Sequence, residues 1–364
     1  MKFNEKIAQD KIKNYFVHGM VLIDTDGAAL NNWGSDNTNT QGMDNTSAVK
    51  KVVKNGKTYA VVSGQAWRYW WRETLGLNGW KLSPVIRDKK VAYTEANPLM
   101  YPDDDVFGYM KAAKEEQKDE NGNIILDKKG KVKKVDVTVT RVSPLKNSIL
   151  VSVAPTKIFN EYSVMARQEG DPVPYEKQFY STVLKGMFSL DLDQLGTFTN
   201  INRSGFKNVT DYLYKEILKN GKEVDDLINP HIKRARLNKE ERIKRAKGTI
   251  LALKTINGGA KRTTNYVSVK PDFIILAVLK GGNNIFDNIA IEEDLKATIS
   301  LEAIEEAIKD NKEYFRSDVY IGKAVGFMDD VIIESKEIEG INIKVGAVNQ
   351  MIDEFVKVLD EVIE

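Results

Sequence analysis

In the stretch SGQAWRYWWRETLG, Ser63–Gly76, three tryptophans fall within five residues. At 100° per residue, a helix puts Trp67, Trp70, Trp71 and Thr74 on one side and Gln65, Arg68, Tyr69 and Arg72 on the other. An indole stripe that wide is stable in water only when buried, so the helix has to lie against a second layer. The tryptophans are therefore read as core, with base-stacking platforms as the alternative. Ser63 stands where a helix cap belongs, and the helix is expected to run to Leu75 with Gly76 beyond its end.

The second layer is visible as β-branched, apolar runs. YFVHGMVLIDT (15–25), KNSILVSVA (146–154), the stretch 179–192 and FIILAVLK (273–280) all read as strands. Residues 239–254 carry apolar positions near helical spacing. With the tryptophan helix, the order is β-α-β-β-α-β, an α+β fold of ferredoxin-like, RRM-like type with large insertions. RNA-recognition modules use the same arrangement, one sheet face meeting single-stranded nucleic acid.

One palm is expected to span 1–364, interrupted by insertions. Residues 26–62 read as a long Gly/Asn/Asp/Thr loop followed by a hairpin around Lys54-Asn55-Gly56-Lys57. Residues 77–140 read as an insertion whose part from about 103 to 135 is charged, solvent-facing and lysine-rimmed. Residues 155–178, with prolines at 172 and 174, read as a projecting extended loop. Residues 281–364 read as an extension with helices near 292–309 and 347–363 and short strands between them.

Composition removes several chemistries. The chain has no cysteine, which excludes disulfides, thiol nucleophiles and cysteine-ligated metal. It has two histidines, His18 in an apolar strand and His231 in a basic polar stretch, so paired-histidine acid–base catalysis is not expected. Lys+Arg 54 against Asp+Glu 52 means that any polyanion-binding surface must be local. No signal core and no run of about 20 apolar residues is present, so a cytoplasmic protein without membrane contact is expected.

Two segments have the makings of a phosphate site. At the start of the tryptophan helix, Ser63 caps, Gly64 admits close approach of another backbone, and Gln65 and Arg68 stand beside the first amides. Arg68 and Arg72 either bind phosphate or pair with Glu73 and other carboxylates. The loop GGAKRTTNY, 258–266, offers backbone amides with Lys261 and Arg262, or is a plain turn. It lacks the Gly-Lys-Ser/Thr ending of a nucleotide-binding P-loop, which disfavours nucleoside triphosphate hydrolysis. Asn31 and Asn32 add amide side chains that bind sugar or phosphate or stabilise their own turn. Asp24, Asp26, Asp36, Asp103–Asp105, Asp191 and Asp193 lack a spacing specific for metal or glycosidase chemistry.

Five segments in order, GMVLIDTDGAALNNWG, VVSGQAWRYWWRETL, RVSPLKNSILVSVAP, PVPYEKQFYSTVLKGMFSLDLDQLG and GGAKRTTNYVSVKPDFIILAV, resemble the DevR-like family of CRISPR-associated proteins. That family supplies the backbone of type I-B Cascade effectors within the RAMP superfamily. The resemblance implies a CRISPR RNA-binding structural subunit, not an enzyme and without cofactor. Copies would polymerise along the guide spacer, alongside other Cascade subunits, and present it to target DNA. It further implies RNA contacts at Asn31, Asn32, Ser63, Gly64, Gln65, Arg68, Arg72, Gly258, Gly259, Lys261 and Arg262. Residues 155–178 would form a thumb, with Arg167 as a contact, and the charged insertion would form fingers. The enzymatic alternative is a type III-like backbone that cuts target RNA with a metal ion and Asp24, Asp26 or Asp36. A protein of this fold that binds no nucleic acid is the remaining alternative.

Overall fold

Nine consecutive buried residues, Tyr15 to Ile23, begin strand β1 (Tyr15–Ala28), as a run apolar on both faces requires when both faces are covered. The structure is a computed structural model and describes residues 3–34, 46–88, 91–112, 114–116, 124–127, 130–136, 138–165, 169–202 and 207–364. Two compact units are formed, Met1–Asn78 with Lys146–Leu190 and Lys247–Val362, and Gly79–Leu145 with Asp191–Ala246 and Ile363–Glu364. Both mix helix and strand, and the chain as a whole is α+β.

The first unit is organised on one large sheet. After β1 come β2 (Lys57–Val62), α1 (Gly64–Leu77), β3 (Leu150–Ser152) and β4 (Val173–Asp191). Helix α2 (Lys239–Leu251) enters this unit at Lys247, followed by β5 (Phe273–Lys280), α3 (Leu301–Asn311), β6 (Val319–Lys323), β7 (Ile341–Gly346) and α4 (Val348–Val362). The sheet runs Lys336–Ile338, β7, β6, β5, β1, β4, β3, β2, Lys51–Lys54. Strand β1 is antiparallel to β5 from Tyr15↔Lys280 to Leu22↔Phe273, and β3 is antiparallel to both β4 and β2.

Alternation along the strands sends side chains to two cores. On one face Met20, Leu22, Phe273, Ile275 and Ile321 pack with Ile304 and Ile308 of α3. Val183 and Met187 of β4 join that core, so Phe188 points to the other face. There Trp71 meets the Phe188 ring edge-on at 5.2 Å between centroids. Trp67, Trp70 and Trp71 are 1%, 5% and 0% exposed, which settles the tryptophans as core. The indole Nε1 of Trp71 donates to the Thr249 carbonyl at 2.8 Å, so its one polar atom is satisfied. Helix α4 buries Val348, Met351, Ile352, Phe355, Val356, Leu359 and Val362, the i, i+3, i+4 stripe that ties it to the sheet.

Three segments differ from the sequence expectations. Residues 155–178 are an extended loop only in part, because Phe159–Met165 pairs antiparallel with Val173–Phe179, the first half of β4. The helix expected from 292 starts at Leu301, capped by Ser300, because Ala290–Glu293 and Lys296–Ile299 first form a hairpin. The extension from 281 also contributes three strands, Val319–Lys323, Lys336–Ile338 and Ile341–Gly346, to the main sheet.

The second unit places a three-stranded sheet, Thr197–Phe198, Lys233–Arg236 and Lys222–Asp225, against the helix Asp211–Asn220. Phe198, Val209, Ile217, Ala235 and Leu237 form its core. Asp103, Asp104 and Asp105 are buried, which corrects the solvent-facing expectation at the start of the charged stretch. Asp105 accepts from Arg141 and, at 2.8 Å, from Arg245, so burial of its charge is compensated. Asp191 ends β4 and Asp193 lies in the following turn, where it binds Arg234 and Arg236.

Candidate nucleic-acid interface

Helix α1 starts as its residues dictate. Ser63 is extended, with φ −63° and ψ 146°, and its Oγ accepts from the Ala66 amide at 3.3 Å. The Ser63 amide donates to Oδ1 of Asn31 at 2.9 Å, so the first asparagine locks the turn that precedes the helix. Asn147 reaches across this start. Its Nδ2 donates to the Gly64 carbonyl at 3.2 Å, and its Oδ1 accepts from Nη1 of Arg68 at 2.9 Å. A Cβ on Gly64 would sit 3.3 Å from the Asn147 amide and the Ser148 carbonyl, tighter than ordinary contact. Burial pushes the Arg68 guanidinium down to about 10, still charged at neutral pH and held in one geometry. Gln65 and Tyr69 on the same side are exposed.

The glycine loop lies on the buried face of the same helix. A Cβ on Gly258 would come within 2.1 Å of the Trp70 indole, so only glycine lets the loop approach. Gly259 has φ +103°, a backbone that L side chains rarely adopt. Ala260 then donates to the Leu30 carbonyl at 3.0 Å, tying the loop to the segment before Asn31. Lys261, with φ 53°, accepts through its carbonyl from Thr264 and Asn265 in a tight turn. Burial, then the charge of Lys177, lowers the Lys261 ammonium from its ordinary value. The Arg262 guanidinium stands 5.5 Å from the Tyr266 ring centroid, and its Nε has no hydrogen-bond partner among the described residues.

The three sequence-separated segments therefore meet: Asn31 with Ser63, Leu30 with Ala260, and Gly258 with Trp70. Asn32 accepts from Ser47 Oγ at 3.4 Å at the margin of this group. Arg72 turns to Glu73, 3.6 Å away, as in the ion-pair alternative. Arg167 lies outside the described residues. Two residues of the surroundings escaped sequence reading. Asn147 sits in a run read only as a strand start, and Lys177, buried and 3.0 Å from Glu161, sits in a segment read as loop. Neither carries a periodic or motif signal.

The candidate catalytic groups are arranged differently. Asp26 Oδ1 accepts from Ser181 Oγ at 2.5 Å, and Asp24 is held above the usual carboxylate range by burial and then by Asp26. Asp36 lies outside the described residues. Among the described residues no group of three or more histidine or carboxylate side chains is placed to hold a metal ion. His18 is fully buried, with one ring nitrogen hydrogen-bonded at 2.8 Å to the Gly281 carbonyl, and burial lowers its pKa to about 4. His231 is exposed. No helix among the described residues is long and apolar enough to cross a membrane.

No curated protein matches this sequence. A solved chain described as "CRISPR RNA-guided surveillance complex" has TM-score 0.49 and 12% identity over 94% of this chain and 98% of its own. Another, "CRISPR RNA-guided surveillance complex, pre-nicking", has TM-score 0.49 and 11% identity over 94% and 100%. These likenesses are too distant to assign a function. The family model "CRISPR-associated negative auto-regulator DevR/Csa2" matches residues 21–296, the span that contains every tie of the interface just described, and the chain belongs to that family.

Proposed function

We propose that this protein is a non-catalytic backbone subunit of a Cascade effector of type I-B, binding CRISPR RNA through the surface built from Asn31, Asn32, Ser63–Gln65, Arg68 and the Gly258–Arg262 loop. The observation that carries the reading is the convergence of these segments through hydrogen bonds and a glycine contact rather than through chance proximity. A guide is held without regard to sequence when cations and backbone amides meet phosphate and ribose, leaving base edges free for pairing. Arg68, Lys261 and Arg262 supply that charge in a chain that is otherwise nearly neutral.

The ferredoxin-like palm of this proposal is supported by the central order β5, β1, β4, β3, the order that a split βαβ arrangement gives. The hairpin Phe159–Met165 with Val173–Phe179 is its thumb, and the second unit, with the lysine-rich stretch, its fingers facing target DNA. Copies line the guide spacer in the cytoplasm together with other Cascade subunits.

Fluorescence anisotropy with CRISPR RNA across a salt series tests the reading. Arg68→Ala and the double change Lys261→Ala with Arg262→Ala should weaken binding alike for different guide sequences and flatten the salt slope by about 1 for each phosphate no longer neutralised. Wild-type affinity and slope in both variants would overturn the site. Incubation of the RNA-loaded protein with complementary RNA and magnesium should leave that RNA intact. Regular cuts, abolished in Asp24→Ala, Asp26→Ala or Asp36→Ala, would replace this reading with the type III-like enzyme.

A further inference from the structure

The far end of helix α1 borders a pocket. Leu77 and Asn78 line one side of it, roughly 20 Å along the helix axis from the cap at Ser63. Thr74 Oγ1 donates to the Trp70 carbonyl and accepts from the Asn257 amide at 3.1 Å, which fixes the turn at 255–257 against that end of the helix. Another wall is the run 266–270. Exposure alternates along it, with Val267 and Val269 buried and Tyr266, Ser268 and Lys270 exposed, so the last three side chains share the outer side as in an extended chain. The pocket between these segments has a volume of about 350 Å³, in the range of small-ligand sites.

Its chemistry selects an aromatic anion. Arg262 and Lys270 both line it, and among the described residues that do so there is no carboxylate. Neither cation is in an ion pair among the described residues. Nε of Arg262 is buried with no hydrogen-bond partner among them, a donor that folding has taken from water without pairing. A guanidinium is a planar fork that fits phosphate oxygens. The Tyr266 ring, 75% exposed, has its centroid 5.5 Å from that guanidinium, so a planar ring can stack on it next to a phosphate held by Arg262. Leu77, 77% exposed, adds apolar surface, and the side-chain amides of Asn78 and Asn257 supply donors and acceptors suited to ribose hydroxyls and base edges.

We propose that this pocket binds a free nucleoside monophosphate, with its phosphate on Arg262 and Lys270 and its base against Tyr266. Of the lining residues, Arg262 alone belongs to the surface assigned above to RNA. The site therefore stands apart from that reading at every other side chain, and it needs no RNA to be occupied.

Isothermal titration calorimetry of the RNA-free full chain with AMP is the test, with adenosine and inorganic phosphate as separate titrants. Wild type should bind one AMP per chain and bind adenosine and phosphate more weakly, because each engages only half of the pocket. Tyr266→Ala and Lys270→Gln, both at exposed positions, should each raise the AMP dissociation constant at least about tenfold. Melting curves check that both variants fold. Lys261→Ala, outside the pocket, should leave AMP affinity within about twofold, which separates the site from general attraction to a basic surface. A wild type that binds no AMP, or pocket variants that bind it as wild type does, overturns the proposal. Anisotropy with a short RNA is run alongside, with and without saturating AMP. RNA affinity in Tyr266→Ala and Lys270→Gln should equal that of wild type, and AMP should not displace the RNA. Displacement would make the pocket part of the RNA path and overturn the proposal. AMP binding without RNA affinity sinks the RNA reading and upholds this site, and RNA affinity without AMP binding does the reverse.

Discussion

Trp70 and Gly258 form one contact that serves both stability and the proposed site. Trp70→Ala should cost about 3–5 kcal/mol by chemical denaturation, because the indole is 5% exposed and packs against the backbone at Gly258. Gly258→Ala pushes a methyl into the same ring, where the first contact would be 2.1 Å. It should destabilise by about 1–3 kcal/mol and shift the Lys261–Arg262 segment, so RNA affinity should fall as well. If Gly258→Ala is neutral in denaturation, the close approach of loop to helix is absent in solution. The helix faces were legible from 3.6-residue periodicity alone. The contact with residue 258 was not, since a glycine pair reads equally as a turn.

Among the elements, the buried charges of the second unit were the least readable. Asp103-Asp104-Asp105 looks like a solvated acidic run, yet Asp105 is 0% exposed between Arg141 and Arg245, 36 and 140 residues away. Asp105→Ala should cost about 3–5 kcal/mol, measured by urea unfolding, because it removes the buried carboxylate that two buried guanidinium groups share. Asp105→Asn keeps acceptors and should cost less. A loss under about 1 kcal/mol for the alanine change would show those arginines reaching water. The hairpin ending at Phe179 was hidden for a different reason. Pro174 pairs opposite Val164 near its outer end, where a missing amide is tolerated, but in the sequence two prolines argue against any strand.

For the protein as a unit, His18 sets a pH dependence. Its ordinary value is 6.5 and burial lowers it to about 4 in the folded chain, where it is neutral. Between those values the unfolded chain takes up a proton that the folded chain does not, so stability falls as pH falls, by up to about 3 kcal/mol. Asp24 and Asp272, held above the usual carboxylate range by burial, act in the opposite sense. Urea unfolding at several values between pH 7 and pH 4 should show the loss in wild type and a flatter profile in His18→Gln. Identical profiles would mean that His18 protonates freely in the folded protein.

Periodicity is a local property, and what it encodes was readable from the sequence: the α+β character, the buried tryptophan stripe, the apolar central strands and the cap at Ser63. Pairing across distance is not local. Asn147 bridging Gly64 and Arg68, Asp105 joining Arg141 and Arg245, and the assembly of the second unit from 79–145 with 191–246 all depend on which surfaces the folded chain brings together. A polar side chain has the same character in sequence whether it meets water or a buried partner. Only its desolvation in the folded chain distinguishes the two.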